Sequence, residues 1–324
     1  MTDYVADIAR LPADELSARL ESRVDAVSGP RRSDAYLDGQ RLLYLLYVAR
    51  IQPPWLCVVP AVHDPAVAAT FLRLEAAWNQ VQTDAVLTSV QAPDVASFEA
   101  WLIERCRTHA SGPQHPLFTL MKESADEQAL REFVFQETPF DIHFGDLVAM
   151  LVPGIYGAAK IELAENFWDE MGGGNVTRTH RQLRLTMMQA VGVAEDSYLT
   201  GIERFWVEEL ELANLYFSVC SSRRLMDQAL GMLLATEHVV PGRIDHQLSG
   251  WLRLGYREDQ LEYLSEHIVV DVEHAAGWLN EVVKPTLSSH PEYLRGIVAG
   301  VECRLAASLR VCDRALDEFQ GQPN

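Results

Sequence analysis

Apolar residues recur along the chain at spacings of three and four with polar residues between them, and strict alternation over a strand-length run is almost absent. That period belongs to amphipathic helices buried on one side, so the pattern predicts an all-α protein. The periodic runs place helices over 13–27, 33–51, 64–82, 94–109, 124–152, 156–171, 177–192, 198–219, 222–239, 243–254, 257–281 and 285–314. Gly29-Pro30, Pro53-Pro54, Gly172-Gly173-Gly174 and Pro241-Gly242 mark stops, because proline lacks the amide hydrogen that continues a helix and glycine loses the most backbone freedom in one. Residues 109–116, His-Ala-Ser-Gly-Pro-Gln-His-Pro, form the best internal boundary. It separates an N-terminal helical region, 1–116, with a packing or dimerisation role, from a unit over 117–316 of ordinary domain size and a flexible tail, 317–324.

Composition narrows the function more than the fold. With 48% hydrophobic residues in 324, the chain can bury a substantial core. Its 27 Lys and Arg against 46 Asp and Glu give a net charge of −19, which repels phosphate backbones and anionic lipid surfaces, and no basic stripe offsets it. Nucleic acid and membrane are therefore not expected partners. The first residues, MTDYVADIARLPADEL, lack the basic and apolar regions of a secretory signal, and no run of about 18 uncharged apolar residues occurs, so a cytoplasmic location is expected. Cys57, Cys106, Cys220, Cys303 and Cys312 are odd in number and scattered, as reduced core thiols are.

Candidate chemistry concentrates in Tyr263-Leu-Ser-Glu-His-Ile-Val-Val-Asp-Val-Glu-His-Ala-Ala-Gly-Trp278. At ~100° per residue, His267, Asp271 and His274 project within a few tens of degrees of one another on a largely apolar helix, while Glu266 and Glu273 face elsewhere. Two imidazoles and a carboxylate without thiolate suit iron or manganese, and di-iron bundles are built from such inward-facing sets. A solvated polar face is the competing reading. Glu237 lies in the apolar run Ala229-Leu-Gly-Met-Leu-Leu-Ala-Thr-Glu-His238, where it either meets a cation or sits near an exposed helix end. Between Glu170 and His180 the glycine break lets two helical pieces converge. Arg178, Arg181 and Arg184 flank His180 and read as exposed helix arginines, although one could clamp a carboxylate. Trp168, Trp206, Trp251, Trp278 and Phe217 read as core packing.

With these motifs in view, residues 120–315 resemble the haem-oxygenase-like di-iron oxidase and oxygenase superfamily of iron-containing redox enzymes. The resemblance rests on Trp168-Asp-Glu-Met-Gly-Gly-Gly with His180, on Glu237 thirty residues before His267, and on the His267/Asp271/His274 set. It implies a seven-helix bundle, here with an N-terminal helical extension, that binds two irons rather than haem. It makes His180, Glu237, His267, Asp271 and His274 ligands, with Glu170 as an additional carboxylate. The family's glutamate on the first core helix falls on Phe144; Glu137 and Asp141 lie on nearly the same face and could replace it, Glu137 by its longer reach, with His143 as an outsider. The resemblance further implies an O2-dependent oxygenase or oxidase acting on a small amine or amino acid in natural-product biosynthesis, with O2 as co-substrate and an external electron donor, while the helical pattern of residues 1–116 fits a homodimer. A non-catalytic binding bundle and an iron-storing or ferroxidase bundle are the alternatives. Two bound irons discriminate against the first, and substrate-dependent oxygen uptake against the second.

Overall fold

The structure, a computed structural model, describes residues 3–321, apart from the side chains of residues 3 and 269–272. The N-terminal region contributes α1 (Asp3–Arg10), α2 (Ala13–Val24), α3 (Asp34–Ile51), α4 (Pro65–Leu87) and α5 (Phe98–Thr108). Then follow α6 (Pro116–Glu123), α7 (Glu127–Asp141), α8 (Phe144–Leu151), α9 (Gly157–Glu170), α10 (His180–Ala190) and the single turn α11 (Ser197–Thr200). The C-terminal part is α12 (Val207–Ser221), α13 (Met226–Arg253), α14 (Glu262–Gly277), α15 (Lys284–Ser289) and α16 (Leu294–Gly321), with no strand among the described residues. Several helices begin at side-chain caps that accept an otherwise orphaned amide hydrogen: Ser33 from Tyr36 at 3.2 Å, Asp64 from Ala66 at 2.8 Å, Asp126 from Ala129 at 2.8 Å, and Thr179 from Gln182 at 3.1 Å.

Several expectations from the pattern change, among them the helix expected over 198–219, which is the single turn α11 followed, after residues 201–206, by α12. Helices expected over 222–239 and 243–254 are one, α13, which runs through Pro241. The proline cannot donate to the Glu237 carbonyl, a loss of about 3 kcal/mol. Burying Val239, Ile244 and Trp251 along the same helix offsets it, at roughly 1.5–3 kcal/mol for each large apolar side chain. The helix expected over 124–152 is two, broken at Ile142 and His143, so Phe144 does not share a helix with Glu137 and Asp141. Pro139 stays inside α7 because Thr138 Oγ1 donates, at 2.7 Å, to the Phe135 carbonyl that the proline leaves unserved. The 285–314 helix splits before Pro291 into α15 and α16. The tail is helical to Gly321, since Phe319 packs 6.5 Å from the Phe133 ring and 6.3 Å from that of Trp206. Trp168 is not core packing; it is 55% exposed.

The bundle is organised around α13, which packs along α14 on one side and α16 on the other. Gly231 and Gly300 allow the α13–α16 crossing: a Cβ on either would come within 1.9 Å of a backbone oxygen of the facing helix. α12 closes this layer, with α3 lying on α12 and α4 on α16, so one continuous hydrophobic core joins the N-terminal region to the rest. No helix among the described residues is long and apolar enough to cross a membrane. α7, α10, α12, α13, α14 and α16, with Phe118 of α6 and Phe144 of α8, line a cavity of about 100 Å³.

Candidate metal centre

Three donors meet in the interior. Glu170 ends α9, His180 begins α10, and His267 projects from α14; all three are buried, with ligand atoms within 4.8 Å of one another. Glycines make the first two neighbours. Gly172, Gly173 and Gly174 all adopt positive φ, at 61°, 61° and 87°, where a side chain is strained. A Cβ on Gly172 would lie 2.5 Å from the Arg178 carbonyl carbon, which is backbone and cannot step aside. The reversal brings Glu170 Oε1 to 2.9 Å from His180 Nδ1.

His267 is oriented from behind. Its Nδ1 lies 2.7 Å from the Tyr263 carbonyl, to which it can only donate, so Nε2 carries the lone pair. Its ring centroid is 4.5 Å from that of His180. Burial, helped by His180, pushes His267 down to about 4. Burial alone would also lower His180, but the Glu170 carboxylate bonded to it more than reverses the effect and raises it. A neutral imidazole with a free nitrogen, a carboxylate and a second imidazole in one dry corner form a donor set that fits iron.

Beside this group, His274 Nδ1 faces Glu237 Oε2 at 3.7 Å and its Nε2 faces Asp169 Oδ2 at 3.1 Å. Glu237 is 3% exposed in mid-helix, so the exposed-end reading of this residue fails. Burial raises its carboxyl, with Glu170 adding to the rise, while His274 and His180 oppose it. Asp271 lies on the same helix as His267 and His274, but its side chain is outside the described residues.

Glu137 and Asp141 are placed differently. Both turn toward Arg184, whose Nη2 is 3.5 Å from Glu137 and 3.1 Å from Asp141, and Gln247 donates to Glu137 at 3.0 Å. Burial raises both carboxyl groups and Arg184 pulls them back. Neither belongs to the three-donor group. His143 is buried elsewhere, its ring edge-on to Tyr198 and Phe217. Arg184 is not an exposed helix arginine, being 1% exposed, whereas Arg178 pairs at the surface with Glu262 and Glu266, and Arg181 donates to the Ile142 carbonyl at 2.7 Å.

The cavity connects these groups. His267 and Glu237 border it, as do Glu137, Asp141 and Arg184, and its walls include Phe118, Phe133, Phe140 and Phe144. Glu209, Arg243 and Arg304 also line it. None of these three stands out in the sequence, where a charged residue in an amphipathic helix reads as surface. Asp169 had a signal in its position next to Glu170 within the Trp168-Asp-Glu motif.

Bundle and donor set together define a haem-oxygenase-like helical protein, and comparison with known proteins agrees. A domain of unknown function with a haem-oxygenase-like fold from Shewanella denitrificans OS217 superposes with a TM-score of 0.52 at 17% identity, covering 71% of this chain and 95% of that one. Two structures of a CADD-like protein of unknown function from Nostoc punctiforme PCC 73102 superpose with a TM-score of 0.53 at 17% and 16% identity, covering 69% of this chain and 98% and 96% of theirs. No curated protein matches the chain. The profile of the iron-containing redox enzyme family matches residues 131–309, more than half of the chain, and the protein belongs to that family.

Proposed function

We propose that this iron-containing redox enzyme is an O2-dependent non-haem di-iron oxygenase or oxidase acting on a small amine or amino acid. The observation that carries the proposal is the buried Glu170, His180 and His267 group, with Glu237 and His274 beside it, at the edge of a cavity with aromatic walls. In this reading Glu170, His180 and His267 hold one ion, while Glu237, His274 and Asp271 serve the second. Bound ferrous ions supply the electrons that O2 activation requires. The chain's own residues do the rest. Tyr263 fixes the His267 tautomer, and Asp169 orients His274. The phenyl rings of Phe140 and Phe144 keep water from the reacting space, which protects a reactive oxidant from quenching.

Glu137 and Asp141 enter this reading as a reserve. While Arg184 holds them, the second ion lacks a first-helix carboxylate and binds more weakly than the first. Titration of the metal-free protein with ferrous iron under anaerobic conditions should therefore show one tight and one weaker site. Aerobic incubation of the loaded protein with amines and amino acids, followed by mass spectrometry, should show oxygen uptake that depends on one of them. Saturation with no bound iron would remove the enzyme reading, and oxygen uptake indifferent to every organic compound would favour iron storage.

A further inference from the structure

Two buried arginines in the cavity wall have no carboxylate in hydrogen-bonded contact: Glu209 and Asp141 act on Arg304, and Glu137 on Arg243, only from beyond ion-pair distance. Arg243 is 8% exposed; its Nε and Nη2 lack hydrogen-bond partners, and its nearest aromatic contact is the Phe118 ring, 5.6 Å from the guanidinium carbon. Arg304 is 3% exposed; its Nε donates to Thr236 Oγ1 at 3.1 Å, but its Nη1 is unpartnered. Leaving charged donors unmade in the interior is costly, and native proteins rarely tolerate it without purpose. This chain pairs other guanidiniums well. Arg105 grips Glu302 through two bonds of 2.7 and 2.8 Å, and Arg184 in the same cavity holds Glu137 and Asp141 through Nη2, although its Nε is unpartnered.

We propose that Arg243 and Arg304 form a carboxylate-binding site, so that the molecule this cavity takes is an organic acid with an apolar body. Burial, reinforced by Arg304, pushes Arg243 down only to about 10, so it remains a cation at neutral pH and calls for an anion. The planar, bidentate fork of a guanidinium matches a carboxylate. A doubly charged phosphate is disfavoured, because Glu137, Asp141, Glu209 and Glu237 line the same small cavity. Phe118, Phe133, Ile244 and Val311 provide the apolar wall for the body of the acid.

Among the substrates proposed above, this selects the amino acid over the simple amine, and to that extent it rests on the redox reading. Binding of the acid does not need iron, so the two can fail separately. The test is calorimetry on the full-length, chelator-treated protein with 3-phenylpropionate, hexanoate, phenylalanine and leucine, each against its primary amide, with inorganic phosphate alongside. At least one acid should bind at least about tenfold more tightly than its amide, the worth of a charge-assisted hydrogen bond. Arg243→Gln and Arg304→Gln, checked for native circular dichroism, should each erase that preference. Acids that bind no better than their amides, a preference that survives both substitutions, or phosphate binding as tightly as the best acid would overturn the site. If neither variant folds, the acid-to-amide comparison in the unaltered protein decides. Acid preference together with an empty iron titration would sink the redox reading and leave this site standing.

Discussion

A guanidinium that is 1% exposed persists only where charge is brought to it, and Arg184 has two carboxylates, from Glu137 and Asp141. Removing one member of such a buried group costs about 3–5 kcal/mol, against less than about 1 kcal/mol for an exposed pair. Arg184→Met should therefore lower the urea unfolding free energy of the metal-free protein by about 3 kcal/mol, and Arg178→Ala should barely move it. Equal losses would mean that Arg184 is solvated. His109 gives a second residue-scale test. Burial, with Arg105, Arg243 and Arg304 adding to it, lowers this histidine to about 4, below the ~6.5 of an unfolded chain. The unfolded state then takes up the proton first, so the stability His109 contributes is complete above pH 6.5 and drains away as pH falls toward 4. Urea midpoints measured between pH 7 and 4.5 should fall, and fall less in His109→Gln. An identical slope in the variant would assign the loss to other groups.

At the scale of elements, the glycine reversal between α9 and α10 decides whether Glu170 and His180 meet. Gly172→Ala would force a side chain into positive φ and against the Arg178 backbone, and should cost about 2 kcal/mol or more and weaken iron binding at the site proposed for Glu170 and His180. Iron affinity unchanged in that variant would detach the turn from the site. This element was legible in the sequence, because three glycines in a row between periodic runs have few other uses. The fate of Pro241 was not: a local rule ends a helix there, whereas the burial of α13 against α14 and α16 outweighs it. The break at Ile142 and His143 was also hidden, since the apolar period continues across it, and this separates Phe144 from the two carboxylates expected to replace it.

Over the whole molecule, the all-α class follows from local period and the approach of Glu170 to His180 from the glycine break, whereas His267 was set beside them only by the family resemblance. The arginines of the cavity follow from none of these, because only tertiary contact shows that a polar position faces inward. The N-terminal region is fastened to the bundle through Glu211 on α12, which is fully buried and takes the Tyr36 hydroxyl at 2.5 Å, Arg31 at 3.1 Å and Arg310 at 2.9 Å. With one core shared across the 116/117 boundary, the chain should unfold in a single cooperative transition, coincident by tryptophan fluorescence and circular dichroism. A 117–324 fragment should not reach a stable fold; a fragment that melts sharply on its own would separate the two regions.

The glycine reversal also sets an order of events. It closes a loop of only ten residues between Glu170 and His180, while His267 follows His180 by 87 residues. A ribosome adding ~5–20 residues per second needs roughly 4 to 17 seconds to make that stretch. During that time only two of these three donors, Glu170 and His180, exist in the growing chain. The three-donor set proposed for the first ion is therefore complete only once α14 has been made and has docked.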